Sequence, residues 1–225
     1  MKKIVFAMIE AGGGHKAPAK AVMEALEESF PGRYETRMMD FIKDVGSVRV
    51  DAAHKKSWKT MLEYPTLTYI LYQLQDALGP ITRGFYYRTM VAPAVHDTMR
   101  FLKKHRPDVV FSSHYFVTMA LVEARKRTRL DFQIITYQTE IFTFHAPWKV
   151  PETDWYVTAS DRAAQSAAMR GITSRKIVKS KASSTQPTHA ARKEAHCRRV
   201  GCFHQGSCAV VVMPPLVAHE RIAMQ

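Results

Sequence analysis

An α/β fold, a Rossmann-like doubly wound parallel sheet, is the class this sequence predicts, and three observations predict it. A continuously apolar run, "KIVFAMI" (residues 3–9), opens the chain, as a strand covered on both faces does. Three glycines, Gly12, Gly13 and Gly14, follow it and lead into an alanine-rich segment. From there strands and helices alternate as far as residue 179.

After the glycine turn, His15 stands where a helix should begin. Pro18 is tolerated in a first helical turn, and "APAKAVMEALEESF" keeps helical periodicity up to the stop at Pro31-Gly32. "YETRMMDF" (34–41) reads as a second strand, which completes a βαβ unit. Residues 55–104 read as helices rich in rings, among them Trp58, Tyr64, Tyr69, Tyr72, Phe85, Tyr86 and Tyr87, with breaks at Pro65 and Gly79-Pro80. "APAVHDTMRFLKKHR" is a helix that ends before Pro107, and "DVVFSS" (108–113) is a strand. A helix "YFVTMALVEARKR", a strand "FQIITY" (132–137) and a strand "DWYVTAS" (154–160) follow. "DRAAQSAAMRG" is a short helix closed by Gly171, and "SRKIVK" starts one more strand.

Past residue 179 the alternation stops. All three cysteines (Cys197, Cys202, Cys208) and four of the ten histidines fall in this last stretch. We expect residues 1–179 to form the domain. Residues 180–225 are expected to be an irregular, poorly ordered tail, "CAVVVM" excepted, of the kind a frameshift near residue 179 would produce. Cys197, Cys202, His204 and Cys208 are separated by gaps of four, one and three residues, which fit no common zinc spacing. No metal and no cofactor are expected.

The charge is lopsided, with 33 Lys+Arg against 20 Asp+Glu and a net +13. That balance favours anionic partners, although an ordinary basic surface has the same composition. No apolar run approaches the roughly 18 residues of a membrane span. "MKKIVFAMIE" lacks the core and cleavage site of a signal peptide, since Glu10 interrupts it. We therefore expect a cytoplasmic protein that rests on the inner face of the cell membrane. The basic stretch "RKEAHCRR" is too short to favour nucleic acid.

Three strand-end loops carry polar groups. "GGGHKA" fits the G-x-G-x-x-A dinucleotide pattern, with Glu35 or Asp40 as the downstream acid, and equally fits a tight structural turn. His15 adds chemistry to it. A helix N-terminus favours an anion and a neutral imidazole, and a neutral imidazole can act as a general base on a hydroxyl. Ser112, Ser113 and His114 close the strand at 108–113, either as a ligand edge or as a buried histidine with hydroxyl caps. Thr139 and Glu140 follow the strand at 132–137, and His145, Trp148 and Asp154 come next. The aromatic, basic helices at 55–90 suit either a membrane–water interface or an ordinary helical core.

Taken together, "GGGHKAPAKAV", "KSWKTMLEYPTLTYILYQL", "RPDVVFSSHYF", "QTEIFTFHAPW" and "DWYVTAS" resemble, in order and separation, the diacylglycerol glycosyltransferase family of monogalactosyldiacylglycerol synthases and processive diglucosyldiacylglycerol synthases. The resemblance covers about residues 2–178. It implies the N-terminal, acceptor-binding half of a two-domain GT-B glycosyltransferase, which moves a hexose from a UDP-sugar to the hydroxyl of diacylglycerol at a membrane. By that resemblance Gly12, Gly13 and Gly14 face the donor diphosphate and His15 is the candidate base. Ser113 and His114 match a Ser/Thr-His-Pro-Phe loop in which Tyr115 replaces proline and Phe116 is kept. Thr139 and Glu140 match a Thr-Asp pair, and His145 and Trp148 match a histidine and a tryptophan. These residues are expected on the acceptor side, with Trp58, Tyr64 and Tyr69 at the membrane beside anionic headgroups. The family continues after "KIV" into a second nucleotide-binding domain. Without such a half, little transferase activity is expected. A Rossmann-type NAD or FAD module and a non-enzymatic basic membrane-surface domain are the competing expectations.

Overall fold

The computed structural model describes residues 1–11, 13–140, 145–182 and 209–210. Gly12 lies outside them, and so do Cys197, Cys202, His204, Cys208 and most of the expected tail.

Six strands form one all-parallel sheet: β1 (Lys2–Met8), β2 (Tyr34–Asp40), β3 (Val109–Ser112), β4 (Gln133–Gln138), β5 (Trp155–Thr158) and β6 (Ile177–Lys179). Their spatial order is β2-β1-β3-β4-β5-β6. The chain therefore winds one way from β1 to β2 and the other way from β1 to β3. The crevice between β1 and β3 at their carboxyl ends is the switch point at which open α/β sheets take ligands. A two-stranded antiparallel pair, β7 (Lys181–Ala182) with β8 (Ala209–Val210), stands apart from this sheet.

Period-two side chains build both core layers. Ile4 and Phe6 of β1 join Phe111, Ile135 and Val157 under α1 (Gly13–Ser29), where the Phe6 and Phe111 rings lie 5.4 Å apart. Val5 and Ala7 turn to the other face and join Val110 and Ile134 under α6 (Ala92–His105) and α7 (Tyr115–Thr128). Between them run α2 (Phe41–Asp44), α3 (Val48–Glu63), α4 (Pro65–Ala77) and α5 (Gly79–Tyr86), with a π-helical turn at Tyr87–Val91 that feeds α6. The last helix, α8 (Asp161–Met169), covers β5 and β6 beside Trp148 and Tyr156.

One local expectation is corrected. The helix after β1 starts at Gly13, so Gly13, Gly14 and His15 form its first turn rather than a turn ahead of it. Pro18 is consequently interior. It has no N–H to give, which leaves the Gly14 carbonyl without its partner four residues on.

Candidate active site

Because every strand of the sheet is parallel, the loops after β1, β3 and β4 leave the same edge. Two of them close on each other through His15 and Ser113. The imidazole Nδ1 of His15 lies 2.6 Å from the Ser113 carbonyl oxygen. A carbonyl only accepts, so Nδ1 carries the proton and Nε2 keeps its lone pair. Ser113 returns the contact, its hydroxyl donating to the His15 carbonyl at 2.7 Å, while its amide donates to Ala7 at 3.2 Å. Burial lowers the pKa of His15, and the Ser113 carbonyl pulls it part of the way back.

His114 is fixed in the opposite tautomer. It caps α7, where its Nδ1 accepts the Phe116 amide at 3.1 Å, so in the neutral ring the hydrogen sits on Nε2. The rings of His15 and His114 lie 4.4 Å apart. Beneath them a fully buried hydroxyl chain pins the loop. Ser112 donates to the His114 carbonyl at 3.0 Å, Thr118 donates to the Ser112 oxygen at 3.0 Å, and Thr118, Thr136 and Thr153 continue the chain at 3.3 and 2.9 Å. Burial pushes the pKa of His114 well down, with His15 and His54 adding to the effect.

His54, on α3, is a member of this cluster that its sequence context does not flag. Its ring meets His114 at 5.0 Å, edge to face, and Phe116 at 5.2 Å. Burial, then His15 and Lys55, bring its pKa down to about 4. Its neighbour Lys55 places its ammonium 2.5 Å from Asp40 and 2.9 Å from Asp51, and Asp40 accepts the Glu10 amide at 3.1 Å. Asp40 is thus engaged by protein, and Glu35 pairs with Lys3 at the opposite end of the sheet. Neither carboxylate is placed to receive a ribose.

Glu140, His145 and Trp148 form a second cluster that touches the histidines through Tyr115. The Tyr115 ring lies 4.6 Å from His114 and 5.6 Å from Trp148. Burial raises the pKa of Glu140, and the Trp148 indole and His145 oppose that rise. His145 stacks on Tyr72 of α4 at 4.6 Å, and its Nδ1 is 3.6 Å from Asp76, which also accepts the Ala146 amide at 2.9 Å and Arg170 at 3.1 Å. Thr139 is half-buried. His15, Ser113 and His114 are therefore brought together, while Glu140, His145 and Trp148 adjoin them on the far side of Tyr115.

Gly13 and Gly14 lie open at the helix start, where an added Cβ would meet nothing within 4 Å. Steric contact with the described residues therefore does not require glycine at either position. Among those residues no three His, Cys, Asp or Glu side chains are grouped to hold a metal ion.

The three residues expected at a membrane differ in exposure. Tyr64 and Tyr69 are 58% and 64% exposed, and Trp58 is half-buried. Around them Leu62, Leu67, Ile70, Ile81 and Phe85 also face out. Among the described residues no helix is long and apolar enough to cross a membrane.

The family model described as monogalactosyldiacylglycerol (MGDG) synthase matches residues 15–179. Relatives include the probable monogalactosyldiacylglycerol synthase 3, chloroplastic, of Oryza sativa subsp. japonica, 22% identical over 170 residues, 75% of this chain and 33% of that one. The monogalactosyldiacylglycerol synthase 2, chloroplastic, of Arabidopsis thaliana is 21% identical over 76% of this chain and 36% of its own. The chain spans about a third of the length of these curated relatives. Among solved structures, the apo form of lipopolysaccharide outer core galactosyltransferase WaaB superposes with a TM-score of 0.47 at 18% identity, over 78% of this chain and 44% of that one.

Proposed function

Since this chain belongs to the monogalactosyldiacylglycerol synthase family by its match over residues 15–179, we propose that residues 1–179 are the acceptor-binding N-terminal domain of a GT-B glycosyltransferase that transfers a hexose from a UDP-sugar to the free hydroxyl of diacylglycerol. The observation that carries this reading is the tether of His15 Nδ1 to the Ser113 carbonyl at 2.6 Å. It leaves the Nε2 lone pair at the switch point, beside an open helix N-terminus.

In this reading Nε2 takes the proton of the glycerol hydroxyl as that oxygen bonds to the sugar's anomeric carbon, and the bond from that carbon to the diphosphate breaks to release UDP. The Gly13–Gly14 backbone lies against the diphosphate, which the helix N-terminus stabilises. His114, through its Nε2 hydrogen, and the Thr139–Glu140 loop hold the acceptor's oxygens, with His145 and Trp148 alongside. The exposed apolar side chains of α4 and α5 rest on the membrane, and the excess of basic residues supplies attraction to anionic headgroups of about 1 kcal/mol for each nearby cation.

The chain spans about a third of the length of its curated relatives. The 225-residue chain is therefore proposed to bind acceptor while turning over little donor on its own. The engagement of Asp40 by Lys55 and the Glu10 amide speaks against an NAD or FAD module.

The test is a titration of the labelled 225-residue chain with dioctanoylglycerol, read from the histidine ring resonances. We expect His15 and His114 to shift, and NADH to leave them in place. Indifference to dioctanoylglycerol, or a response to NADH, would overturn the reading. Radiolabelled UDP-galactose or UDP-glucose with diacylglycerol vesicles checks the second half of the proposal, and rapid transfer by this chain would contradict it.

A further inference from the structure

Two consecutive residues of α3 reach opposite sides of the switch-point crevice. Lys55 takes hold of the β1–α1 loop, because its ammonium binds Asp40 and Asp40 binds the Glu10 amide. His54 takes hold of the β3–α7 loop, because its ring lies against His114 and Phe116. The two loops meet where His15 exchanges hydrogen bonds with Ser113 and lies beside the His114 ring. The Ser113 carbonyl that aims His15 belongs to the peptide bond that leads into His114, so it lies one bond away from the residue whose ring His54 packs against.

His54 is buried, at 6% exposure. Its ring packs against two others, His114 and Phe116. Its contact with His114 is nearly perpendicular, at 82°, which is the edge-to-face geometry that aromatic rings favour. His15 covers His114 from another side at 54°. His114 therefore sits between two imidazoles that come from different elements.

We propose that His54 is a positioning residue of this site: through its edge-on packing against His114 it fixes the Ser113 carbonyl, and through that carbonyl it holds the His15 ring with its Nε2 lone pair in the crevice. This rests on the reading of His15 as the base, but it concerns only the arrangement of the free protein. The charged and titratable groups that face the trio are Lys55 and Asp51 on α3, Asp40 at the end of β2, Tyr115 on α7 and Tyr86 on α5. Of these Lys55 is the nearby cation, and it disfavours protonation of His54.

The test uses the 225-residue chain with labelled histidines, and the readout is the tautomer of each ring from its nitrogen–carbon-proton correlations. His54→Phe keeps the planar edge and the volume. His54→Leu keeps most of the volume and removes the edge, so both variants are expected to fold. In the unmodified protein and in His54→Phe we expect His15 as the Nδ1–H form and His114 as the Nε2–H form. In His54→Leu we expect loss of the Nδ1–H signature of His15, with its titration midpoint moved up toward that of an ordinary imidazole. A His54→Leu chain that keeps the His15 tautomer and midpoint overturns the proposal, and so does a His54→Phe chain that loses them as fully as His54→Leu. A packing role without positioning would lower the melting temperature and leave both tautomers alone, which also refutes it. No sugar or lipid enters the readout, so failure of the glycosyltransferase reading would leave this result standing, and the reverse holds too.

Discussion

Replacement of Lys55 by methionine isolates the electrostatic half of the α3 clamp. Its ammonium, 28% exposed, lies 2.5 Å from Asp40 and 2.9 Å from Asp51, whose side chains are 9% and 6% exposed. The methionine keeps the stem and removes the charge, which leaves two nearly buried carboxylates facing each other. Removal of one partner of a buried ion pair costs about 3–5 kcal/mol. The partial exposure of Lys55 screens some of this, so we expect a loss of about 2–3 kcal/mol, or about 4–12 °C in melting temperature for a chain of this size.

The pH dependence carries a definite sign. Burial already raises the Asp51 pKa, and Lys55 opposes that rise. Without Lys55 the folded value climbs further above the unfolded one. A carboxyl shifted this way is destabilising when ionised, so the deficit of the variant is full above its folded pKa. It fades as the pH falls toward the ordinary carboxyl value of about 4. Urea unfolding of both proteins at pH 7.5 and pH 5 gives the difference, and the rise in the His54 pKa that loss of Lys55 allows acts in the same direction, narrowing the deficit at the lower pH. Addition of Asp51→Asn to the variant should restore part of the loss, since one of the two stranded charges is then gone. A deficit below about 0.5 kcal/mol, as a surface pair would give, or one equal at both pH values, would refute the burial reasoning.

Three further outcomes follow from the same geometry. His54 has a folded pKa of about 4, below the ordinary value, so it contributes stability that is complete above about pH 6.5 and is lost as the pH falls toward 4, amounting to about 3 kcal/mol; acid titration of unfolding free energy should be flatter for His54→Phe than for the unmodified chain, and parallel curves would contradict this. Asp76→Ala strips the Ala146 amide and Arg170 of their acceptor, and we expect a loss of about 1–2 kcal/mol in urea unfolding, with Asp76→Asn recovering part; no loss would mean that α4 is not anchored there. Ile81→Glu with Phe85→Glu places two carboxylates where 73% and 70% exposed apolar side chains now stand, and flotation with phosphatidylglycerol vesicles should fall by at least about tenfold; unchanged flotation would remove this face from the membrane.

β1, β3 and β4 were legible because each is a short apolar run inside a doubly covered sheet. Residues 3–9, 108–113 and 132–137 each match an observed strand to within one or two positions. The start of α1 was misplaced because glycine has low helix propensity and reads as a turn. Here Gly13 and Gly14 adopt helical geometry and the helix begins two residues before the histidine. The π-helical turn at Tyr87–Val91 has no signature in the run "YYRTMV", since it differs from its flanks only by one hydrogen-bond register.

The site was legible where chemistry and position coincide, and hidden where they do not. His15 lies in the first turn of the helix after one strand and His114 caps the helix after another, so their placement at one sheet edge follows from parallel topology alone. His54 and Lys55 lie inside "AAHKKSWKTM", an ordinary amphipathic segment of a long helix, with nothing local to mark them. What makes them part of the site is the crossing of α3 over the mouth between β1 and β3, and that crossing is set by packing across more than fifty residues of sequence. The clamp also constrains how the site can vary. A change at position 54 acts on the β3–α7 loop and a change at position 55 acts on the β1–α1 loop, although the two side chains are neighbours. Substitutions at these adjacent positions should therefore couple through the His15–Ser113 contact, besides the direct effect of the Lys55 charge on His54, and a double variant should lose less than the sum of the two single losses once that contact is already broken.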